Sequence, residues 1–381
     1  MEVNFLQNYY NPMPNQAPPQ YGGYSYNQRV YPPSPPPKPP IDPKEQLRRT
    51  EMSKLRRISN GLGFFVLAYH FAMYGIVIVV EIFFLLFSID VSSDSTAEYL
   101  LDIAASVGAS LIPGVAYLLI TRRRRTPFFK KGRVGLTTLI PVTLICMAVA
   151  MLANAAADLF IQELDFFGIQ NHLSMTADST LSPFQIVLYV IAVAIVPAFA
   201  EEFGFRGIIM GRLRQYGDAF AIVASAIMFS AMHANTTQIV FTFFLGLLFG
   251  YVDCLTDSII PSIVGHFLNN FYAVIFDVLQ NQTNIDMSLF YILYLGVVVV
   301  FCLGGLLSYI YLTKRDKGFM RLSDRDRSEY PNVHVLTFKE KVNTFIKNPG
   351  VIISLVSFLM LTINYLLPEN FWTDIFKALR G

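Results

Sequence analysis

The chain has 381 residues, of which 54% are hydrophobic and 14% aromatic, while only 15% are charged. With a mean hydropathy of +0.46, this composition offers too little polar surface for an ordinary soluble protein and places the chain in a bilayer. A formal net charge of +2 leaves no nucleic-acid footprint, and three cysteines (Cys146, Cys254, Cys302), all in apolar runs at wide spacing, form neither a disulfide framework nor a zinc ribbon.

Residues 1–45 are rich in Pro, Tyr, Asn, Gln and Gly and contain no apolar block. Such a segment cannot bury enough surface to offset its ordering entropy, so a disordered tail is expected. It lacks the apolar stretch and cleavage site of a signal peptide. Its run YPPSPPPKPP reads as a linker, with a polyproline ligand as the alternative.

Apolar stretches then recur at lengths that suit a hydrocarbon core about 30 Å thick. The candidate spans are 62–88, 100–120, 136–158, 183–202, 219–235, 237–255, 259–279, 289–312 and 350–367. The expected fold is therefore all-α, a polytopic transmembrane helical bundle of about eight to nine spans. Residues 46–312 carry the bundle, 313–348 a cytoplasmic loop, and 349–381 a last transmembrane helix with a short amphipathic tail. No repeat of fixed period is visible.

Charge gives the orientation. Arg48, Arg49, Lys54, Arg56 and Arg57 precede the first span, and Arg122 to Arg125, Lys130, Lys131 and Arg133 follow the second. Arg206, Arg212 and Arg214 follow the fourth, and Lys314, Arg315, Lys317 and Arg321 the eighth. The intervening loops 89–99, 159–182 and 280–288 hold no Lys or Arg. By the positive-inside rule the amino terminus is cytoplasmic, and nine crossings put the carboxyl terminus outside.

Ionisable groups within spans are costly and therefore informative. They are Glu81, Asp102, Asp158, Glu201, Glu202, Arg206, His233, Asp253, His266 and Asp277, with the amides Asn154, Asn269 and Asn270. His70 reads as a hydrogen bonder between helices, and Glu81 has no assigned role. His172 and His334 fall in loops.

Three pairs share a four-residue spacing, which stacks two side chains on one helix face. Glu202 and Arg206 form one pair, suited to an ion pair, with Glu201 turned by about 100° and left without that partner. Phe229 and His233 form the second, and His266 and Asn270 the third. Each alone reads as a polar pair joining two helices.

In order, E-E-x-x-x-R, F-x-x-x-H and H-x-x-x-N within about seventy residues resemble the CAAX protease and bacteriocin-processing (Abi) family of intramembrane endopeptidases. The resemblance covers roughly residues 183–280, and PAFAEEFGFRGIIMGRLR looks like the family's bacterial branch. It implies Glu201 as general base, His233 as its partner on the water, and His266 with Asn270 as an oxyanion hole. Glu202, Arg206 and Phe229 would support them. A metal-free glutamate mechanism is expected; zinc held by Glu201, His233 and His266 is the alternative, although no H-E-x-x-H is present. The implied substrate is a membrane protein or lipidated peptide, and the implied location a bacterial cell membrane. A transporter or an inactive relative acting as an interaction protein is the rival from another class.

One conflict stands in the sequence reading. As separate crossings, the fourth span puts Glu201 ~27 Å from its outer end and the fifth puts His233 ~22 Å from the opposite face, too far apart to share one water. Either the helix bearing Glu201 continues toward Leu213, or the hairpin at HANTTQ stops short in a polar cavity.

Overall fold

The computed structural model describes residues 41–367 apart from 90, 92–93, 122–133, 167–179 and 323–331, and the helices from Pro43 onward form one unit. Those helices are α1 (Pro43–Leu86), α2 (Ser95–Ile120), α3 (Leu136–Phe166), α4 (Pro183–Tyr216), α5 (Asp218–Met232), α6 (Thr236–Thr256), α7 (Ile260–Gln282), α8 (Met287–Arg315), α9 (Phe338–Ile346) and α10 (Pro349–Leu366). The described residues contain no strand.

Of the eight to nine expected crossings, seven helices among the described residues are long and apolar enough to cross, and α9 with α10, bent by 65° at their junction, make an eighth if taken as one span. At 15 residues α5 falls short of a bilayer. The parity argument that put the carboxyl terminus outside therefore lapses. α1 begins at Pro43, inside the segment read as a tail, so the basic residues Arg48 to Arg57 are helical. The basic stretch at 122–133, residues 1–40, His172 and the tail after 367 lie outside the described residues.

α4 is the axis of the bundle, packed against α2, α5 and α7. It opens on a capping box between Ser182 and Gln185, with Pro183 in the first turn, where its missing N–H costs nothing. Two stretches wind as π-helix, Val190–Ile195 and Phe203–Met210, on either side of the acidic pair. Wider turns displace carbonyls from the ordinary ladder and recur at functional sites. Three neighbours donate to such carbonyls: Asn270 Nδ2 to Val193 O at 2.9 Å, Ser110 Oγ to Ala200 O at 2.6 Å and Ser225 Oγ to Phe205 O at 3.0 Å.

α5 and α6 form a tight hairpin. Its turn places Ala234 at φ +52, and Asn235 caps α6 by accepting from the Gln238 N–H at 2.9 Å. A Cβ at Gly246 would lie 2.9 Å from the Ala226 backbone, so the two helices pack at backbone distance. α10 docks on α1 in the same way. A Cβ at Gly63 would stand 2.2 Å from the Gly350 carbonyl carbon, and Ser354 Oγ donates to Gly63 O at 2.7 Å.

All three cysteines are free. His70 is corrected: it is buried, but neither ring nitrogen has a hydrogen-bond partner among the described residues, and the ring packs edge-on against Tyr74 and Phe358. Glu81 lies exposed on α1.

Candidate active site

The depth conflict closes through the lengths of α4 and α5. α4 runs past Glu201 to Tyr216, and α5 starts at Asp218 after Gly217. Glu201 lies fifteen residues before Tyr216 and His233 fifteen after Asp218, so both stand ~22 Å from the same turn. The helix bearing Glu201 does continue past Leu213, and α5 is too short to cross.

Arg214, read from sequence as a loop cation, is instead buried in helix, and Arg206 is buried on α4 one turn from Glu202, as its spacing suggests. The Arg214 guanidinium bonds Asp218 at 2.8 Å and Asp257 at 2.7 Å, and this ties the α4–α5 turn to the end of α6. Arg206 is fully buried; its Nη1 lies 3.2 Å from Glu202 Oε1, at ion-pair distance but off the angle of a hydrogen bond. Its plane rests on Phe229, 4.4 Å from the ring centroid, with Phe249 at 5.6 Å. Aromatic faces stabilise a cation that water cannot reach.

Glu202 has a second partner. The Nδ1 of His266, on α7, hydrogen-bonds Glu202 Oε1 at 2.9 Å. Paired with Arg206, Glu202 acts as acceptor, so His266 Nδ1 carries the hydrogen. His266 Nε2 then points toward Glu201, 3.9 Å from Oε2. Glu201 Oε2 makes no hydrogen bond, and the side chain is 17% exposed against 0% for Glu202. Glu202 Oε2 also lacks a partner among the described residues, so the carboxylates differ in Glu202 Oε1, tied to His266 and Arg206, and in the greater exposure of Glu201.

His233 caps α5 at the hairpin. Its Nδ1 meets Phe229 O at 2.9 Å; a carbonyl only accepts, so Nδ1 donates and the neutral ring presents Nε2 as an acceptor. Phe229 lies edge-on beneath it at 4.9 Å and meets His266 at 6.2 Å. His233 makes no ion pair with Glu201 within 4 Å, yet Glu201, His266 and Arg206 all act on it electrostatically.

Asn270 shares the α7 face of His266. It gives one amide hydrogen to Val193 O and accepts from Asn269 Nδ2 at 3.1 Å. Glu201, Glu202, Arg206, Phe229, His233 and His266 are thus linked by contacts among α4, α5 and α7, whereas Asn270, one turn along α7 from His266, meets the backbone of α4 at Val193. Residues that the spacing analysis missed are Phe249, stacked on His266 at 5.7 Å, and Ser110, which grips the carbonyl just before Glu201. Neither stands in a spacing motif. Among the described residues, no three of His, Cys, Asp and Glu are gathered as a group that could hold a metal ion.

Beside this cluster an apolar cavity of ≈ 390 Å³ runs between α2, α4 and α7, lined by Val107, Leu111, Ile195, Phe199, Phe203 and Ile263 among others. Ala200, the neighbour of Glu201, also lines it.

Residues 183–272 match the family described as Rce1-like, type II CAAX prenyl endopeptidase. The match spans all three motifs and supports the family of CAAX intramembrane endopeptidases. With seven helices long and apolar enough to cross a membrane, the chain is an integral membrane protein. No curated protein and no solved structure matches the chain.

Proposed function

We propose that the protein is an intramembrane endopeptidase that hydrolyses a peptide bond in a membrane-associated or lipidated substrate, with Glu201 as its base. The observation that carries this reading is the division of labour between adjacent acids. Glu202 is held by Arg206 and His266, while Glu201 Oε2 has no hydrogen-bond partner among the described residues.

In this reading a water sits between the Glu201 carboxylate and His233 Nε2, which has a lone pair free because Nδ1 donates to Phe229 O. Glu201 takes a proton from the water, and the hydroxide attacks the scissile carbonyl carbon. The carbonyl oxygen becomes an oxyanion, met by the second amide hydrogen of Asn270 and by His266. His266 donates from Nε2 only when its ring carries two protons, since Nδ1–H is given to Glu202. As the C–N bond breaks, Glu201 returns its proton to the leaving amine. Glu202, Arg206 and Phe229 position these groups. No step is routed through a metal.

The apolar cavity against Ala200 suits a hydrocarbon or apolar side chain next to the scissile bond, and this supports a lipidated or membrane-borne substrate. The run PAFAEEFGFRGIIMGRLR supports a place in the bacterial branch of the family, and the basic residues before the first span support a cytoplasmic amino terminus in a bacterial cell membrane.

The test compares membranes from cells carrying the wild-type chain or Glu201→Gln. New carboxyl termini are mapped by terminus-selective mass spectrometry. Cleavage products present with wild type and absent with Glu201→Gln support the reading; identical product sets overturn it and favour an interaction protein.

A further inference from the structure

The peptidase reading leaves the developing oxyanion thinly served. Asn270 has already given one hydrogen to Val193 O, and His266 has given its Nδ1 hydrogen to Glu202. A strong neutral donor is needed on the face of α4 that bears Glu201. α1 brings one there.

Tyr69 is buried at 4% exposure, with its ring edge-on to Phe205 at a centroid distance of 6.2 Å. A Cβ at Gly204 would lie 3.9 Å from Tyr69 Cε2, the ring carbon next to the one that bears the hydroxyl. Gly204 and Glu201 are three residues apart and share a face of α4. A Cβ at 204 would be in ordinary van der Waals contact with the ring, so the phenol lies close against that face.

That hydroxyl forms no hydrogen bond with a described residue. A buried tyrosine O–H ordinarily finds a partner. Elsewhere in this bundle Tyr189 bonds Asp277 and Tyr251 bonds the Met320 carbonyl. Tyr69 packs at Gly204, three residues from Glu201, without one, which is the condition of a donor whose acceptor arrives with the substrate.

We propose that Tyr69 is a further catalytic residue, whose hydroxyl donates a hydrogen bond to the substrate carbonyl oxygen as it becomes the oxyanion. The inference rests on the peptidase reading above. No proton is transferred: the water proton goes to Glu201 and then to the leaving amine, and the Tyr69 O–H bond stays intact. A phenol is a donor without prior protonation, which neutral His266 Nε2 is not.

The test uses the full chain in native membranes and then in detergent. Carboxyl termini that appear with wild type and vanish with Glu201→Gln define the substrates, and a synthetic peptide spanning the strongest cleavage gives kcat and KM. Tyr69→Phe removes only the hydroxyl. The proposal expects kcat to fall roughly 10²-fold with KM unchanged, the effect of losing one oxyanion donor, and thermal unfolding to match wild type. Unchanged kcat, a loss confined to KM, or a loss that tracks a lowered melting temperature overturns Tyr69 while the peptidase reading stands. If no cleavage depends on Glu201, the peptidase reading fails and Tyr69 loses its role with it.

Discussion

His266 Nδ1 hydrogen-bonds Glu202 Oε1 at 2.9 Å across 64 positions of sequence, and this bond turns the opposite ring nitrogen toward Glu201. Glu202 therefore binds two helices together and orients an imidazole. Its removal would strand both Arg206 and His266 in a dry interior.

Glu202→Ala should destabilise the protein by about 3–5 kcal/mol, the cost of breaking a buried ion pair by deleting one partner. Denaturant unfolding in detergent measures it. A change below about 1 kcal/mol would mean that Arg206 finds another partner.

Phe229 presents one face to Arg206 and an edge to His233. Phe229→Leu keeps the carbonyl that holds His233 Nδ1 but removes the aromatic face. The expected loss is about 1–2 kcal/mol of stability from the desolvated cation–π contact, with slower cleavage as His233 gains rotational freedom. Unfolding and cleavage assays on the same preparation check both; cleavage at the wild-type rate would separate Phe229 from the site.

Ser110 on α2 donates to the carbonyl of Ala200, immediately before Glu201. Ser110→Ala should cost about 1 kcal/mol and lower kcat by shifting the backbone that aims the carboxylate. Ser357→Ala, which removes an exposed hydroxyl bonded within α10, should change neither. Equal behaviour of the two variants would count against a positioning role for Ser110.

Gly63→Ala drives a methyl into the Gly350 backbone, whereas a Cβ at Gly75 meets nothing within 4 Å. The first should destabilise by about 1–3 kcal/mol as α10 is forced from α1. The second should be neutral or stabilising by about 0.5–1 kcal/mol, as for Gly to Ala in a helix. Unfolding of the two variants side by side reads the difference, and equal effects would deny the close α1–α10 packing.

Much of this was legible from spacing. Glu202 with Arg206, Phe229 with His233, and His266 with Asn270 each meet one neighbouring surface because four residues make about one helical turn. The hydropathy pattern revealed the long helices for the same reason. It overcounted α5 because apolar residues run through 219–235 and the chain turns at Ala234, a left-handed alanine where no Gly or Pro marks the stop. The helical run beyond Glu201 was hidden by Arg214, which looks like a loop charge until its partners at the start of α5 and the end of α6 are known. The Glu202–His266 bond, the grip of Ser110 and the approach of Tyr69 depend on which helices pack together, and no local pattern encodes that.

The central claim is that Glu201, and not its neighbour, strips the proton from water. Its most direct test is the cleavage rate per folded molecule of Glu201→Gln, with its melting temperature measured on the same sample. The account predicts a wild-type melting temperature, because Oε2 forms no hydrogen bond to lose, together with a fall in rate of roughly 10²–10⁴-fold, the usual contribution of a general base. A folded Glu201→Gln protein that cleaves at the wild-type rate would contradict it.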